Sequence, residues 1–136
     1  VRFIFSKGKI MLENLFFTKK EMACHGTGEC EMDDGFMEKL IAVRKKFNTP
    51  MIINSGYRHI AHNSAINGAP KSPHIYGRAV DVAVSGKDAY RLIRIAMEMG
   101  MTGIGVAQRG PIERRFIHLD DMNGEDHPRP WVWSYK

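Results

Sequence analysis

His74, Asp81 and His118 are the residues of this chain whose types could do chemistry together. Two imidazoles and a carboxylate suit zinc, and three protein ligands leave a fourth position open to water. An open position of that kind separates a hydrolytic metal site from a structural one. The pattern therefore predicts zinc-dependent hydrolysis with one Zn2+ per chain. Each residue also has a plain alternative. His74 can be a loop residue and His118 a satisfied core histidine. Asp81 can be a buried carboxylate paired with Arg58 or Arg78. The carboxylate argues hardest for a partner, because it interrupts the apolar run Ala79-Val-Asp-Val-Ala83, where an unpaired charge is costly.

These ligands have no helical spacing, so other elements must bring them together. The segment 78–84 reads as a strand with Val80, Val82 and Val84 facing a core and Ala79, Asp81 and Ala83 on the opposite face. A second strand over 115–120 puts Phe116, His118 and Asp120 on one face, with Ile117 and Leu119 behind. His74 ends the rigid loop Ala69-Pro-Lys-Ser-Pro73. All three ligands can then point from one face of a sheet. Thr18-Lys-Lys-Glu21 is a capping box for a short helix. Asp33 and Asp34 open a longer helix with Phe36, Leu40, Val43 and Phe47 inward. Its basic residues Lys39, Arg44 and Lys46 read as a solvated surface. Met51–Asn54 reads as a short buried strand and 59–66 as a short helix. Ser85 caps a helix whose stripe is Ala89, Leu92, Ile93, Ala96 and Met97. Segments 102–107 and 131–135 read as late strands. Helices early and between strands, with late strands joined by short loops, favour α+β with a mainly antiparallel sheet and flanking helices.

The 136 residues suit one domain, residues 1–136 with a core over about 12–135, and 43% hydrophobic content can build one core. No apolar run approaches the ~20 residues of a membrane span. The start, residues 1–9, is basic and its apolar stretch is too short for a signal peptide. The expectation is a protein made in the cytoplasm, with no stable membrane insertion and no partner subunit. Net charge of +5 points to a polyanionic setting or simply to a soluble surface. No helix-turn-helix or aromatic stacking platform supports a nucleic-acid partner. Cys24 and Cys30 flank His25. They lack the fourth ligand of a structural zinc site, a local disulfide is sterically possible, and two free thiols suit a reducing cytosol.

Several motifs occur in order: Ser55-Gly-Tyr-Arg58, His62-Asn63, Gly68-Ala-Pro70, Ser72-Pro-His74, Gly77-Arg-Ala-Val-Asp81, Gly103-Ile-Gly105, Phe116-Ile-His-Leu-Asp120 and Trp131. Together they resemble the peptidase M15 group, above all its phage and bacterial D-alanyl-D-alanine carboxypeptidases and peptidoglycan endopeptidases. The likeness runs from Phe17 to Trp131. It implies the fold shared with the hedgehog signalling domain, and His74, Asp81 and His118 as the zinc ligands. It places Arg58 as the cation that steadies an oxyanion or a substrate carboxylate, with His62 and Asn63 near the substrate. One position departs. Several family members carry an acid three residues before the last histidine, and here that residue is Arg115. Asp120 is then the first candidate for general base and Glu113 the second, while Asp120 could instead orient a ligand histidine.

The resemblance implies peptidoglycan stem peptides as substrate and an endolysin-type lytic enzyme acting on the wall. Such an enzyme would be released by a phage lysis system or carried in a virion. The missing acid at 115 keeps a second expectation alive, a non-catalytic zinc-containing wall-binding module.

Overall fold

The computed structural model describes residues 8–136, so residues 1–7 of the basic start lie outside it. Local chemistry sets the helices. In α2 (Lys19–Met22) the Thr18 hydroxyl accepts from Glu21 N, and the Glu21 carboxylate accepts from Thr18 N, the reciprocal box expected. In α3 (Asp34–Phe47) the Asp33 side chain caps Phe36 N at 2.9 Å. Asn48 ends it in the left-handed conformation at φ 51°, which asparagine tolerates better than most residues. Two shorter helices, α1 (Lys9–Glu13) and α4 (Ile60–Ala65), flank the body.

The sheet has strand order β1-β2-β4-β3-β5, with β1 Ile52–Ser55, β2 Ala79–Ala83, β3 Gly103–Ala107, β4 Phe116–Asp120 and β5 Trp131–Ser134. Three pairings are antiparallel, and β5 joins β3 in parallel. The architecture is α+β, as expected, with that one parallel edge. Val80, Val82, Ile104, Ile117 and Leu119 face a single apolar cluster completed by Phe36, Leu40 and Val43 of α3 and Leu92 and Ile95 of α5 (Gly86–Glu98). Fully burying a side chain of this size stabilises by about 1.5–3 kcal/mol, so this face anchors the sheet.

Three expectations need correcting. β1 is not buried: it is an edge strand with its residues alternately exposed and half-buried, and Ile52 is 67% exposed. Met97 is 57% exposed, while Ile95 takes the core position. Helical rotation sets Ala89, Leu92, Ile95 and Ala96 inward and leaves Ile93 and Met97 on the flank. Ser85 occupies the cap position of α5, but its side chain makes no capping hydrogen bond.

The other sheet face carries the polar residues. Ser55, Asp81, His118, Gly105 and Trp133 stand in register as one row across all five strands. Directly paired residues have Cβ atoms about 4.5–5.5 Å apart, so this row sets Asp81 beside His118 and clears space next to them at Gly105.

Candidate metal centre

Asp81 and His118 meet because their strands pair there. His118 Nδ1 lies 3.1 Å from Asp81 Oδ1. His74 arrives from outside the sheet, on the 3-10 turn Pro73–Tyr76. The Ser72 hydroxyl caps His74 N, and Gly77 closes the turn at φ 66° against the Glu31 backbone, where a Cβ would collide. Arg58 N donates to His74 O at 3.0 Å, tying this turn to the segment after β1. His74 Nε2 then sits 3.3 Å from the same Asp81 oxygen. Ligand atoms of the three residues all lie within 4.8 Å of one another, and no other such group occurs among the described residues.

The remaining ring nitrogens show what belongs between them. His74 Nδ1 lies 2.8 Å from the Gly56 carbonyl, which can only accept, so that nitrogen carries the hydrogen. His118 Nε2 lies 2.7 Å from the Asp120 carboxylate, which fixes its hydrogen in the same way. Neutral imidazoles held like this aim bare lone pairs at the Asp81 carboxylate. Such a convergence is repulsive unless a cation sits within it. A proton can fill that role: burial opposes charging His118, but Asp120 and Asp81 outweigh it and raise its pKa. Burial likewise opposes ionising Asp81, and hydrogen bonds from His118 and His74 hold its carboxyl well below the usual range. A divalent ion satisfies all three donors at once, and two imidazoles with one carboxylate are a zinc set.

A cavity of about 480 Å³ opens over these ligands, lined also by Arg58, Ser72, Phe116, Trp133 and Tyr135. Arg58 is held by neutral partners, Asn63 Oδ1 at 2.8 Å and Ser55 Oγ at 3.3 Å. Among the described residues no salt bridge joins it to a local acid. Its charge is left for something in the cavity. Asn63 is buried and donates onward to Ala69 O at 2.8 Å, so it braces Arg58 rather than facing the cavity.

The sequence profile of the peptidase M15 family matches residues 15–120. The chain belongs to the peptidase M15 family. The zinc D-Ala-D-Ala carboxypeptidase of Streptomyces albus G is 35% identical over 69 residues, covering 50% of this chain and 27% of that protein. This M15 chain thus matches little more than a quarter of that relative's length.

Within this M15 fold the expected site residues separate. Asp120 is fully buried. Arg129 grips both of its oxygens at 2.9 Å, Met122 N donates to one, and His118 takes the other. Burial opposes its charge, yet His118 and Arg129 hold its carboxyl well below the usual range. Its geometry is that of a group orienting His118, not of one facing solvent. Glu113 lies in the exposed 3-10 turn Ile112–Arg114 and does not line the cavity. Arg115 donates to Gly110 O at 3.0 Å and so clasps its loop. His62 lies against Gly26, outside the lining. Cys24 and Cys30 are free thiols and join no metal group.

Three residues were not foreseen as parts of the site: Arg129, Trp133 and Tyr135. The Trp133 ring lies 5.0 Å from His118, with the Arg129 guanidinium 5.1 Å over it. Their signal was Gly103 and Gly105, two apart on one face of β3. A Cβ at Gly105 would come within 2.8 Å of Trp133 Nε1 and of Tyr135 Cε2. Only glycine admits those rings.

Proposed function

We propose that this chain is a zinc metallopeptidase that hydrolyses peptide bonds of bacterial peptidoglycan. In this reading it acts as a D-Ala-D-Ala carboxypeptidase or an L-Ala-D-Glu or cross-link endopeptidase, in an endolysin-type lytic role at the cell wall. The observation that carries the reading is the lone-pair convergence of His74, Asp81 and His118 beneath an open cavity that also holds the uncompensated Arg58. When bound, zinc would lower the pKa of water toward ~7 and polarise a scissile carbonyl.

The chain's own groups divide the remaining work. His74, Asp81 and His118 hold the ion. Asp120 fixes the tautomer of His118, and Arg129 holds Asp120. Arg58 offers a planar pair of donors to a substrate carboxylate or a developing oxyanion. Asn63 and Ser55 keep it from collapsing onto the ligands. With Asp120 committed, proton transfer is assigned to Glu113, the one carboxylate of the loop 108–115. In the structure Glu113 stays outside the cavity, and this favours a second reading, a wall-binding module that keeps zinc without turnover.

The deciding experiment incubates purified peptidoglycan with zinc-loaded protein, with His118→Ala and with Glu113→Gln, and weighs the products by mass spectrometry. Muropeptide fragments from the parent alone establish the peptidase, name the bond and assign Glu113. Fragments also from Glu113→Gln, at undiminished rate, remove it as the base. No fragments from the zinc-loaded parent, with peptidoglycan binding retained, establish the module instead.

A further inference from the structure

A second cavity, of about 600 Å³, continues from the metal cavity across a shared saddle of Phe116 and Tyr135, whose rings stand 5.1 Å apart. Its walls are Arg109, Gly110, Pro111, Arg114 and Lys136, with no acidic residue in the lining. Arg109 and Arg114 are exposed and make no ion pair or side-chain hydrogen bond among the described residues. Their neighbour Arg115 behaves differently: its bond to Gly110 O closes the loop, with Gly110 at φ 76°, and so sets the other two arginines on the cavity wall. The acid beside them, Glu113, is exposed and lies outside that lining. Two unpaired guanidiniums above an aromatic floor suit one class of ligand. They match a carboxylate on a peptide whose apolar stem rests on Phe116 and Tyr135.

We propose that Arg109 and Arg114 form a carboxylate-recognising subsite that selects acidic peptides on the Phe116–Tyr135 side of the metal centre. This rests on the peptidase reading for its substrate, but the subsite is a binding claim and is tested as one. Arg58 lines the metal cavity and this subsite lines the adjoining one, so an extended peptide spanning both meets a cation in each. The subsite gives position 115 a different task from that of an acid. There Arg115 shapes the loop that presents the specificity residues.

The test uses zinc-loaded protein and two synthetic wall stem peptides, one with free carboxylates and one with every carboxylate amidated. Tryptophan fluorescence titration gives the Kd of each, and turnover gives each kcat/KM. The parent should prefer the acidic peptide. In the double variant Arg109→Gln/Arg114→Gln the Kd ratio should fall about tenfold, equivalent to about 1.4 kcal/mol. The same two charges removed from α2 and α3, in Lys20→Gln/Lys45→Gln, should leave the ratio where it was. Equal ratios in parent and double variant overturn the subsite. An equal fall in Lys20→Gln/Lys45→Gln also overturns it, by showing that net charge alone acts. If the parent binds with the expected ratio but cleaves neither peptide, the subsite stands and the hydrolase reading fails.

Discussion

Replacing Arg129 by methionine tests whether the metal centre depends on a charge outside it. Arg129 is 93% buried at its side chain, and its partner Asp120 is wholly buried. Two bonds of 2.9 Å join them. Methionine keeps an apolar stem against Trp133 but leaves the Asp120 carboxylate with only Met122 N and His118. Breaking a buried pair from one side costs about 3–5 kcal/mol, because the remaining charge is uncompensated. In a chain of 136 residues that corresponds to a Tm lower by roughly 10–20 °C. Zinc affinity should also weaken by about 10–100-fold, the usual effect of losing a partner behind a ligand. The sign of the pH dependence follows from Asp120. Its carboxyl is held below the usual range, so its contribution is present above the unfolded carboxylate pKa and is lost as pH falls through the folded one. The gap between parent and variant should therefore narrow below about pH 5. Thermal unfolding by circular dichroism over a pH series, with zinc affinity from chelator competition, measures both effects. A Tm change under about 3 °C at neutral pH, or a gap independent of pH, would refute the reasoning.

Gly105→Ala should destabilise by about 1–3 kcal/mol and weaken zinc binding together, since its Cβ meets Trp133, Tyr135 and His118 within 2.9 Å; denaturant melts and zinc titration check this. Leu92→Ala should cost about 2–5 kcal/mol, whereas Met97→Gln on the same helix should change stability by less than about 0.5 kcal/mol, because Leu92 is buried and Met97 exposed; urea midpoints decide. The zinc-induced rise in Tm should grow as pH rises through neutrality, since His118, whose charging burial opposes but whose pKa Asp120 and Asp81 raise, must shed its proton to bind the ion; scanning calorimetry with and without zinc measures it, and a pH-independent rise would count against His118 as a ligand.

Much of the polar sheet face was legible because a strand has period two. Val80 and Val82 against Asp81, and Ile117 and Leu119 against His118, declare which side faces which. The α3 stripe and both caps were legible for the same reason: local spacing and local hydrogen bonds decide them. What escaped depended on distant parts of the chain. β1 looked buried from its apolar residues, but its place at the sheet edge is a matter of topology. Met97 looked like core because helical phase was judged without knowing the axis direction. Arg129 sits beside Asp120 only because β5 runs parallel to β3, and no local pattern encodes a parallel edge. Asp120 was read as base or orienter from its neighbour alone, and its partner at 129 is what separates those roles geometrically.

The row that crosses the five strands at Ser55, Asp81, His118, Gly105 and Trp133 makes the ion an inspector of assembly. Side chains alternate faces along a strand, so a slip of one residue in β4 would exchange His118 for Ile117 or Leu119 and bury the imidazole in the core. A sheet misaligned where β2 meets β4 has no ligand set to offer. Zinc would bind only chains in which β2 and β4 are correctly aligned, and by mass action it would draw the population toward that alignment. Refolding with the metal present should then return more correctly paired protein than refolding with a chelator.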